Sequence, residues 1–318
     1  MISKTDIERA HERIKAYIHR TPVLTSTTLN GMAQAELFFK CENFQKIGAF
    51  KIRGGMNAAL SLSEKERERG LATHSSGNHA QAIAYAAREL GVPAYIVMPR
   101  TSPKPKVEAV KGYGAIVHFC EPNQQAREDT VATIVAQTGA AFIHPYDDDQ
   151  VITGQATCAK ELLEDIPQLD AVVAPVGGGG LLSGTALSVH YFSPRTKTFA
   201  GEPEGAADAF ASFRSGILQP APYIDTIADG LLTRLSERTF AIIKEHVADI
   251  FTVSEKEIKA ALKLVYERMK IVVEPSCVVP LAAVLKHPEV FAGQRVGIIL
   301  TGGNVDLTNI GTWMREEG

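Results

Sequence analysis

The sequence AVVAPVGGGGLLSG, residues 171–184, sets a short apolar run directly before four glycines and the start of a helix. The run at residues 171–176 does not alternate polar and apolar residues, which is typical of a strand buried on both faces of a parallel sheet. Four consecutive glycines let backbone N–H groups turn toward one concavity, and the helix N-terminus adds positive potential there. The pattern predicts a phosphate-binding loop at residues 177–180, with a turn chosen only for tight packing as the alternative.

Apolar runs of this kind alternate with helix-like segments along much of the chain. Besides residues 171–176, the strand-like runs are residues 36–40, 71–74, 94–98, 115–119, 140–144, 198–201 and 296–300. Strands that alternate with helices indicate parallel sheets covered by helices. We predict an α/β fold of two lobes, each a mostly parallel twisted sheet with helices on both faces. Residues 70–146 would form a small, mobile domain inserted between residues 1–69 and 147–318 of a large domain.

The composition excludes several classes of function. Lys and Arg (33) nearly balance Asp and Glu (36), and the net charge of −3 provides no basic surface for nucleic acid or an anionic membrane. No apolar run approaches the ~20 residues of a membrane span, and the first residues contain no apolar signal core. The four scattered cysteines predict reduced thiols rather than disulfides or a zinc site. We expect a cytoplasmic protein that acts on a small molecule and binds neither nucleic acid nor membrane.

The kind of phosphate is left open by the spacing around the glycines. A Gly-Lys-Ser/Thr sequence is missing there, which excludes the ATPase loop. A dinucleotide fingerprint nearly fits, because Gly178 and Gly180 are followed by Ser183 in place of Gly or Ala, and Glu202 ends the next strand. An NAD-dependent oxidoreductase therefore stays open on spacing alone.

Polar segments follow two further strand-like runs. The segment SSGNH, residues 75–79, lies between a strand and a helix, where free N–H groups suit a carboxylate and where Ser76 and Asn78 offer hydrogen bonds. The segment TGGN, residues 301–304, follows the last strand, and the hydroxyl of Thr301 can face a ring nitrogen of a ligand. An ordinary helix N-cap and an ordinary turn are the alternatives.

Two other segments contain candidate metal ligands and a candidate nucleophile. Glu202, Asp208 and a free carbonyl between them could ligate a hard cation such as Mg²⁺ or Ca²⁺, with a solvated acidic turn as the alternative. The segment GAFKIRGG, residues 48–55, places Lys51 between small residues behind an aromatic ring. A single lysine is usually a solvated surface charge, so Lys51 becomes a candidate only together with the other motifs.

Four of these segments together resemble those of pyridoxal-phosphate enzymes of the tryptophan-synthase-β fold, also called fold type II: GAFK (48–51), SSGNH (75–79), GGGG (177–180) and TGGN (301–304). Within that group the chain resembles eukaryotic-type serine racemase and the related serine/threonine dehydratases. The resemblance covers nearly the whole chain, since TPVL (21–24), FKCE (39–42), TIADG (226–230) and ERMK (267–270) also match. Ala49 departs from the many members that have serine there, although fungal relatives share the alanine.

The resemblance implies roles for the residues around the cofactor, which the large domain would bind. Lys51 would form the Schiff base with pyridoxal phosphate and would take the α-proton of the substrate as general base. Phe50 would pack beside the cofactor, Asn78 would bond to its ring hydroxyl, and Thr301 would face its pyridine nitrogen. The phosphate would be held by Gly177, Gly178, Gly179 and Gly180.

The resemblance also implies a substrate site, a cation site and a nucleotide site. The substrate would contact Ser75, Ser76, Gly77, Asn78 and His79. Ser76 would lie on the ring face opposite Lys51, and Arg127 matches an arginine linked to closure of the lobes over the substrate. Mg²⁺, Ca²⁺ or Mn²⁺ would be bound by Glu202, the carbonyl of Ala206 and Asp208. In some members ATP at the subunit interface stimulates activity, and the matching residues are Gln81, Lys106 and Tyr113.

The implied function is a serine racemase that also dehydrates L-serine and L-threonine to a 2-oxo acid and ammonia, as a homodimer. The neutral hydroxyl of Thr301 would leave the pyridine nitrogen largely unprotonated, so that loss of the β-hydroxyl competes with racemisation. Alternatives within the fold are a dedicated threonine or 3-hydroxyaspartate dehydratase with little racemase activity. Outside these, the alternatives are the NAD-dependent oxidoreductase and a metabolite-binding regulator that kept the fold, against which the presence of Lys51 argues.

Overall fold

Two sheets form the framework of the protein in the computed structural model, which describes residues 2–102 and 104–315. The strands in chain order are Val23–Leu24 (β1), Glu36–Cys41 (β2), Leu71–His74 (β3), Ala94–Pro99 (β4), Ile116–Cys120 (β5), Ala141–Phe142 (β6), Ala171–Pro175 (β7), Lys197–Pro203 (β8), Asp249–Val253 (β9) and Arg295–Leu300 (β10). One sheet has six strands in the order β1-β2-β10-β7-β8-β9, and the other has four in the order β5-β4-β3-β6. Neighbouring strands are parallel except for β1, which is antiparallel to β2.

The predicted α/β class with two mostly parallel sheets is confirmed. The strands of the four-stranded sheet lie within residues 71–142, and the strands of the six-stranded sheet lie outside that range. Every residue of β7 is buried, in agreement with its unalternating sequence. The division into a small mobile domain and a large domain stays a prediction.

Helices surround both sheets in the described part of the chain. Their bounds are Lys4–Ile14 (α1), Thr27–Ala33 (α2), Lys51–Ser61 (α3), Glu64–Glu68 (α4), Asn78–Leu90 (α5), Lys104–Gly112 (α6), Gln124–Thr138 (α7), Asp149–Asp165 (α8), Gly180–Phe192 (α9), Asp208–Ser215 (α10), Glu237–His246 (α11), Glu255–Leu264 (α12), Pro275–Lys286 (α13), Pro288–Phe291 (α14) and Leu307–Trp313 (α15). A π-helical turn, Val265–Met269, continues α12. Over the ranges 2–102 and 104–315, none of these helices is long and apolar enough to cross a membrane.

A buried network of charges ties α3 to β2 and α8. The guanidinium of Arg53 donates to Glu42 at 2.7 and 2.8 Å and to both carboxylate oxygens of Glu161 at 2.8 Å. Lys40 Nζ also donates to Glu161, at 2.7 Å. Although burial opposes it, hydrogen bonds from His11 and Arg53 hold the pKa of Glu161 well below its usual range. The network fixes α3 two residues beyond Lys51.

Connections at the carboxyl ends of three strands carry the predicted site segments. Residues 75–77 join β3 to α5, residues 176–179 join β7 to α9, and residues 301–304 follow β10. Residues 143–148, which we call the crossover segment, lead from β6 of the four-stranded sheet to α8 beside the six-stranded sheet. Ligand sites in open parallel sheets lie at such carboxyl ends.

Candidate active site

Lys51 is the first residue of α3, and the segment after β10 fixes the turn that precedes it. The N–H of Phe50 donates to the carbonyl of Thr301 at 3.0 Å. The side chain of Asn304 donates to the carbonyl of Ile47 at 2.8 Å. Ile47 has a φ of 59°, which β-branched residues rarely adopt, so the neighbouring segment has to hold this turn. The predicted residues Phe50, Lys51 and Thr301 thus lie side by side.

The amine of Lys51 is turned toward the crossover segment. Its Nζ donates a hydrogen bond to the carbonyl of Pro145 at 2.9 Å and lies 5.3 Å from the centre of the Phe50 ring. Burial lowers the pKa of Lys51 to about 8, and the carboxyl of Glu274 opposes part of this shift. A lysine with this pKa loses its proton close to neutral pH, which a nucleophile or a general base requires.

The glycine loop offers unpaired N–H groups at the start of α9. Within the described residues, the N–H groups of residues 178–180 donate no hydrogen bond to the protein. A helix N-terminus with free N–H groups binds phosphate readily. Packing also requires three of the glycines, because Gly179 has a φ of 86° and a Cβ on Gly178 or Gly180 would overlap Tyr146. The loop is therefore compatible with both interpretations made from the sequence, and phosphate binding there stays a prediction.

Asn78 begins α5 and is held from two sides. Its Nδ2 donates to the carboxylate of Glu274 at 2.9 and 3.2 Å, and its Oδ1 accepts from Asn304 Nδ2 at 2.9 Å. The structure thereby joins the segment after β3 to the segment after β10. A lysine of lowered pKa, a free anion cradle and a fixed amide fit pyridoxal phosphate, which Lys51, residues 177–180 and Asn78 would hold.

Glu274 is the main site residue that the sequence analysis missed. It is buried, and burial together with the charge of Asp229 raises the pKa of Glu274 to about 7. One feature of the sequence could have indicated it, because Glu274 is the N-cap residue of α13, directly before Pro275. Ser, Thr, Asp and Asn are the usual N-caps, so a glutamate there suggests a role for its side chain elsewhere.

The other residues of the SSGNH segment face different surroundings. The hydroxyl of Ser75 accepts from the N–H of Gly77 at 3.3 Å. Ser76 is partly exposed and has no hydrogen-bonding partner in the described part of the chain, which leaves its hydroxyl available to a ligand. His79 is buried, and its Nε2 donates to the carbonyl of Ile143 at 3.2 Å. Burial keeps the pKa of His79 well below its usual range, so His79 supports the crossover segment as a neutral ring.

Arg127 lies in the first turn of α7, beside the four-stranded sheet. Its Nε is buried and, among the described residues, has no hydrogen-bonding partner. Its charge reaches His74, the last residue of β3, and contributes to the lowered pKa of that histidine, for which burial is the largest cause. Arg127 is therefore close to the strand end that leads to Ser75, with hydrogen-bonding capacity to spare.

The predicted cation ligands lie together between β8 and α10, and all three are buried. Glu202 accepts from the N–H groups of Ala209 and Phe210 at 2.9 and 2.7 Å, and Asp208 accepts from the N–H of Leu235 at 2.9 Å. Burial raises the pKa of Glu202 well above its usual value and that of Asp208 to about 6.

This donor set is small but chemically suited to a hard cation. The described residues contain no group of three or more His, Cys, Asp or Glu side chains that could hold a metal ion. The set therefore consists of Glu202, Asp208 and the carbonyl of Ala206, all oxygen donors. Two neighbouring buried carboxyls that resist ionisation fit a cation that would favour their charged forms.

Two of the three predicted nucleotide residues line one cavity. Gln81 and Lys106 lie on its wall together with Asp229, Glu274 and Trp313, and the volume of the cavity is about 360 Å³. Lys106 forms an ion pair with Asp229, which also lines the cavity.

The third predicted nucleotide residue lies elsewhere. Tyr113 packs edge-on against Tyr85, with ring centres 5.6 Å apart, and beneath the guanidinium of Arg88. It is not one of the residues that line the cavity.

Comparison with known proteins gives a consistent result. Residues 14–302 match the family described as "Pyridoxal-phosphate dependent enzyme". The chain is 52% identical over 305 residues to the β-hydroxyaspartate dehydratase of Paracoccus denitrificans, with 96% of this chain and 97% of the relative covered. It is 49% identical over 313 residues to the serine racemase of Dictyostelium discoideum, with 97% of each chain covered. The solved structure of maize serine racemase superposes with a TM-score of 0.95 at 41% identity, covering 99% of this chain and 97% of that chain.

Proposed function

The chain belongs to the pyridoxal-phosphate dependent enzymes, and on that premise we propose that it dehydrates small β-hydroxy amino acids and racemises serine. The observation that carries this proposal is the amine of Lys51, held 2.9 Å from the Pro145 carbonyl with a pKa lowered to about 8. The nicotinamide alternative is set aside, because the family match spans residues 14–302.

In the proposed reaction, pyridoxal phosphate supplies an electron sink that acidifies the α-hydrogen of the bound amino acid. The N–H groups of residues 178–180 would bind the phosphate, and Asn78 would orient the ring through its amide. Lys51, as a neutral amine, takes the proton from the α-carbon. The β-hydroxyl then leaves with a proton as water, and the released enamine tautomerises to an imine that water hydrolyses to the 2-oxo acid and ammonia. Ser76, whose hydroxyl is unengaged, donates a proton to the opposite face when serine is racemised.

A second candidate substrate is 3-hydroxyaspartate, and one structural observation favours it. The buried Nε of Arg127 lacks a partner among the described residues, and a second substrate carboxylate would provide one. The relative from Paracoccus denitrificans, 52% identical, bears the name β-hydroxyaspartate dehydratase. We place this substrate beside serine and threonine rather than in their stead.

Two ligands and the assembly complete the proposal. We propose Mg²⁺, with Ca²⁺ or Mn²⁺ as substitutes, at Glu202, Ala206 and Asp208, supported by the burial of both carboxyls. We propose ATP as an activator at the cavity lined by Gln81 and Lys106, where the ammonium of Lys106 would exchange its partner Asp229 for a phosphate. A cytoplasmic homodimer is proposed on the resemblance alone.

The decisive experiment offers the purified holoenzyme L-serine, L-threonine and 3-hydroxyaspartate in parallel. The 2-oxo acid and the D-isomer are measured in the same reactions. We expect 2-oxo acid from all three and D-serine from L-serine. A protein that forms oxo acid from 3-hydroxyaspartate alone is a dedicated dehydratase, and one that releases no product from any of the three contradicts the proposal.

A further inference from the structure

His144 folds the crossover segment around its own ring. Its Nδ1 accepts hydrogen bonds from the N–H of Asp147 at 2.8 Å and from the N–H of Tyr146 at 3.3 Å. A ring nitrogen that accepts carries no proton, so the imidazole is neutral with its hydrogen on Nε2. Burial is the largest cause of the lowered pKa of His144, which agrees with this neutral tautomer. Edge contacts with His74, Phe142 and Tyr146 restrict the rotation of the ring.

The peptide between these contacts holds the reacting lysine. Pro145 follows His144 directly, and its carbonyl accepts from Lys51 Nζ at 2.9 Å. Proline fixes its own φ, so only rotation about ψ can turn the Pro145 carbonyl. That carbonyl lies in the same rigid peptide plane as the N–H of Tyr146. The hydrogen bond from that N–H to His144 therefore sets where the Pro145 carbonyl points.

The same turn supports the glycine loop. A Cβ on Gly178 would overlap the ring of Tyr146, and a Cβ on Gly180 would lie 2.9 Å from the Cβ of Tyr146. Tyr146 therefore packs directly on the loop that carries the free N–H groups. One short turn thus contacts both the lysine and the anion cradle.

The far side of the turn is anchored to the start of α11. Asp147 Oδ1 accepts from Ser236 Oγ and from Arg238 Nη1, each at 3.0 Å. Arg238 Nε also lies 3.1 Å from Asp149 Oδ1, at the beginning of α8. These contacts hold the segment as a whole, whereas the direction of the Pro145 carbonyl is left to His144.

We propose that His144 is a positioning residue, whose Nδ1 holds the turn so that the Pro145 carbonyl orients the Lys51 amine and the Tyr146 ring backs the glycine loop. The inference rests on the proposed function only for the identity of Lys51 as the reacting amine. Nothing in it requires His144 to touch the substrate.

The central comparison is between two variants of His144 whose hydrogen-bond acceptor atom lies at different distances from the backbone. In His144→Asn, Oδ1 is bonded to Cγ as Nδ1 is in histidine, so it can accept from the same N–H groups. In His144→Gln, the amide oxygen lies one bond further out. His144→Ala removes the acceptor, and His118→Ala, on β5 of the same sheet, is the matched control.

The first readout is amide hydrogen–deuterium exchange in the holoenzyme without substrate. We expect the amides of Tyr146 and Asp147 to exchange about tenfold faster or more in the Ala and Gln variants than in the wild type. The Asn and His118→Ala proteins should retain wild-type exchange. Equal exchange in the Gln and Asn variants overturns the proposal, and this comparison stands even where the Ala variant does not fold.

The second readout is the split between kcat and KM for L-serine dehydration, together with the rate at which the apoprotein takes up pyridoxal phosphate. We expect His144→Gln to lower kcat and the uptake rate about 10- to 100-fold with little change in KM, and His144→Asn to restore both. If the amides of Tyr146 and Asp147 exchange faster in His144→Gln while kcat and the uptake rate are unchanged, the positioning role is contradicted. A wild-type protein inactive on all β-hydroxy acids defeats the proposed function, while exchange and uptake still decide the role of His144.

Discussion

Asn78 and Glu274 form a hydrogen-bonded pair across the site, with Asn78 Nδ2 at 2.9 Å from one carboxylate oxygen of Glu274 and 3.2 Å from the other. The pair joins the start of α5, beside the four-stranded sheet, to the start of α13, beside the six-stranded sheet. The amide stabilises the charged carboxylate, yet burial and Asp229 outweigh it and raise the pKa of Glu274 to about 7. This carboxyl is therefore divided between its two protonation states near neutral pH.

Replacing Glu274 by Gln should change how stability depends on pH. The pKa is about 7 in the folded protein and about 4.5 in the unfolded chain, so stability from this group is present below pH 4.5 and lost as pH rises through 7. The apoprotein should lose at most about 3 kcal/mol over this range, and Glu274→Gln should remove that loss. Urea unfolding at pH 5 and pH 8 measures it, with the exposed Glu267→Gln as control. If the free energy of unfolding of Glu274→Gln, relative to the wild type, is no higher at pH 8 than at pH 5, the raised pKa of Glu274 is refuted.

Only one residue of this pair, Asn78, was predicted from the sequence as a site residue. Asn78 belongs to a local pattern, a small polar segment between a strand and a helix, and such patterns can be seen in one stretch of chain. Glu274 is 196 residues away from Asn78, and no local pattern reports a contact of that separation. The same holds for His144 and Pro145, whose roles depend on how the crossover segment meets Lys51.

The strand predictions also succeeded where local sequence was sufficient and failed where the bounds depend on long-range contacts. The bounds of β3, residues 71–74, were predicted as observed, because this short run leads directly into a small polar segment that begins a helix. The predicted run 140–144 pairs only at Ala141 and Phe142, since the next residues leave the sheet to form the crossover segment. β9 was missed, and it lies at the edge of the six-stranded sheet, where only one neighbour constrains its sequence.

Uptake of pyridoxal phosphate by the apoprotein should depend on pH through Lys51. Only the neutral amine attacks an aldehyde, and the pKa of Lys51 lies at about 8 rather than 10.5. The rate should rise about tenfold per pH unit from pH 6 toward 8 and level off above it. Stopped-flow absorbance measures the rate, and Lys51→Ala should show no covalent uptake. A rate that keeps rising to pH 10 indicates an unshifted lysine.

Ser76→Ala should separate the two proposed reactions. Without the hydroxyl, proton delivery to the face opposite Lys51 loses its donor, and D-serine formation should fall about 100-fold or more. Dehydration of L-serine needs only the Lys51 face and should be retained. Chiral chromatography and pyruvate release are measured in one reaction. Ser75→Ala is the control, and we expect it to change both reactions by a similar factor; unchanged D-serine formation in Ser76→Ala removes Ser76 from the mechanism.

Glu161→Gln should destabilise the fold strongly, because this carboxylate is a buried counter-charge. Glu161 is 1% exposed and accepts from both Arg53 and Lys40, so the substitution leaves two buried cations short of a counter-charge. The expected cost is about 3–5 kcal/mol in urea unfolding. Glu164→Gln, on the exposed side of the same helix, should cost at most about 1 kcal/mol. If Glu161→Gln and Glu164→Gln lose the same free energy of unfolding, Glu161 is not needed to neutralise Arg53 and Lys40.

Removal of divalent cations should lower the melting temperature, and Mg²⁺ should restore it. A cation must displace protons from Glu202 and Asp208, whose pKa values burial has raised, that of Asp208 to about 6. The proton of Asp208 competes with the cation below about pH 6, and the raised pKa of Glu202 acts in the same direction. The gain in Tm on adding Mg²⁺ to the chelated protein should therefore be larger at pH 8 than at pH 5.5. Saturation at 100 times Kd corresponds to about 2.7 kcal/mol.

Variants of the two carboxylates identify the site of that cation effect. Asp208→Asn should abolish the gain in Tm, because a carboxamide binds hard cations weakly and adds no charge. Glu204→Gln, an exposed acid in the intervening turn, should leave the gain intact. Differential scanning fluorimetry with and without EDTA covers all three proteins at both pH values. A gain in Tm that survives in Asp208→Asn places the cation elsewhere, and a wild-type protein indifferent to EDTA at pH 8 argues that the two carboxyls remain protonated partners of α10 and Leu235.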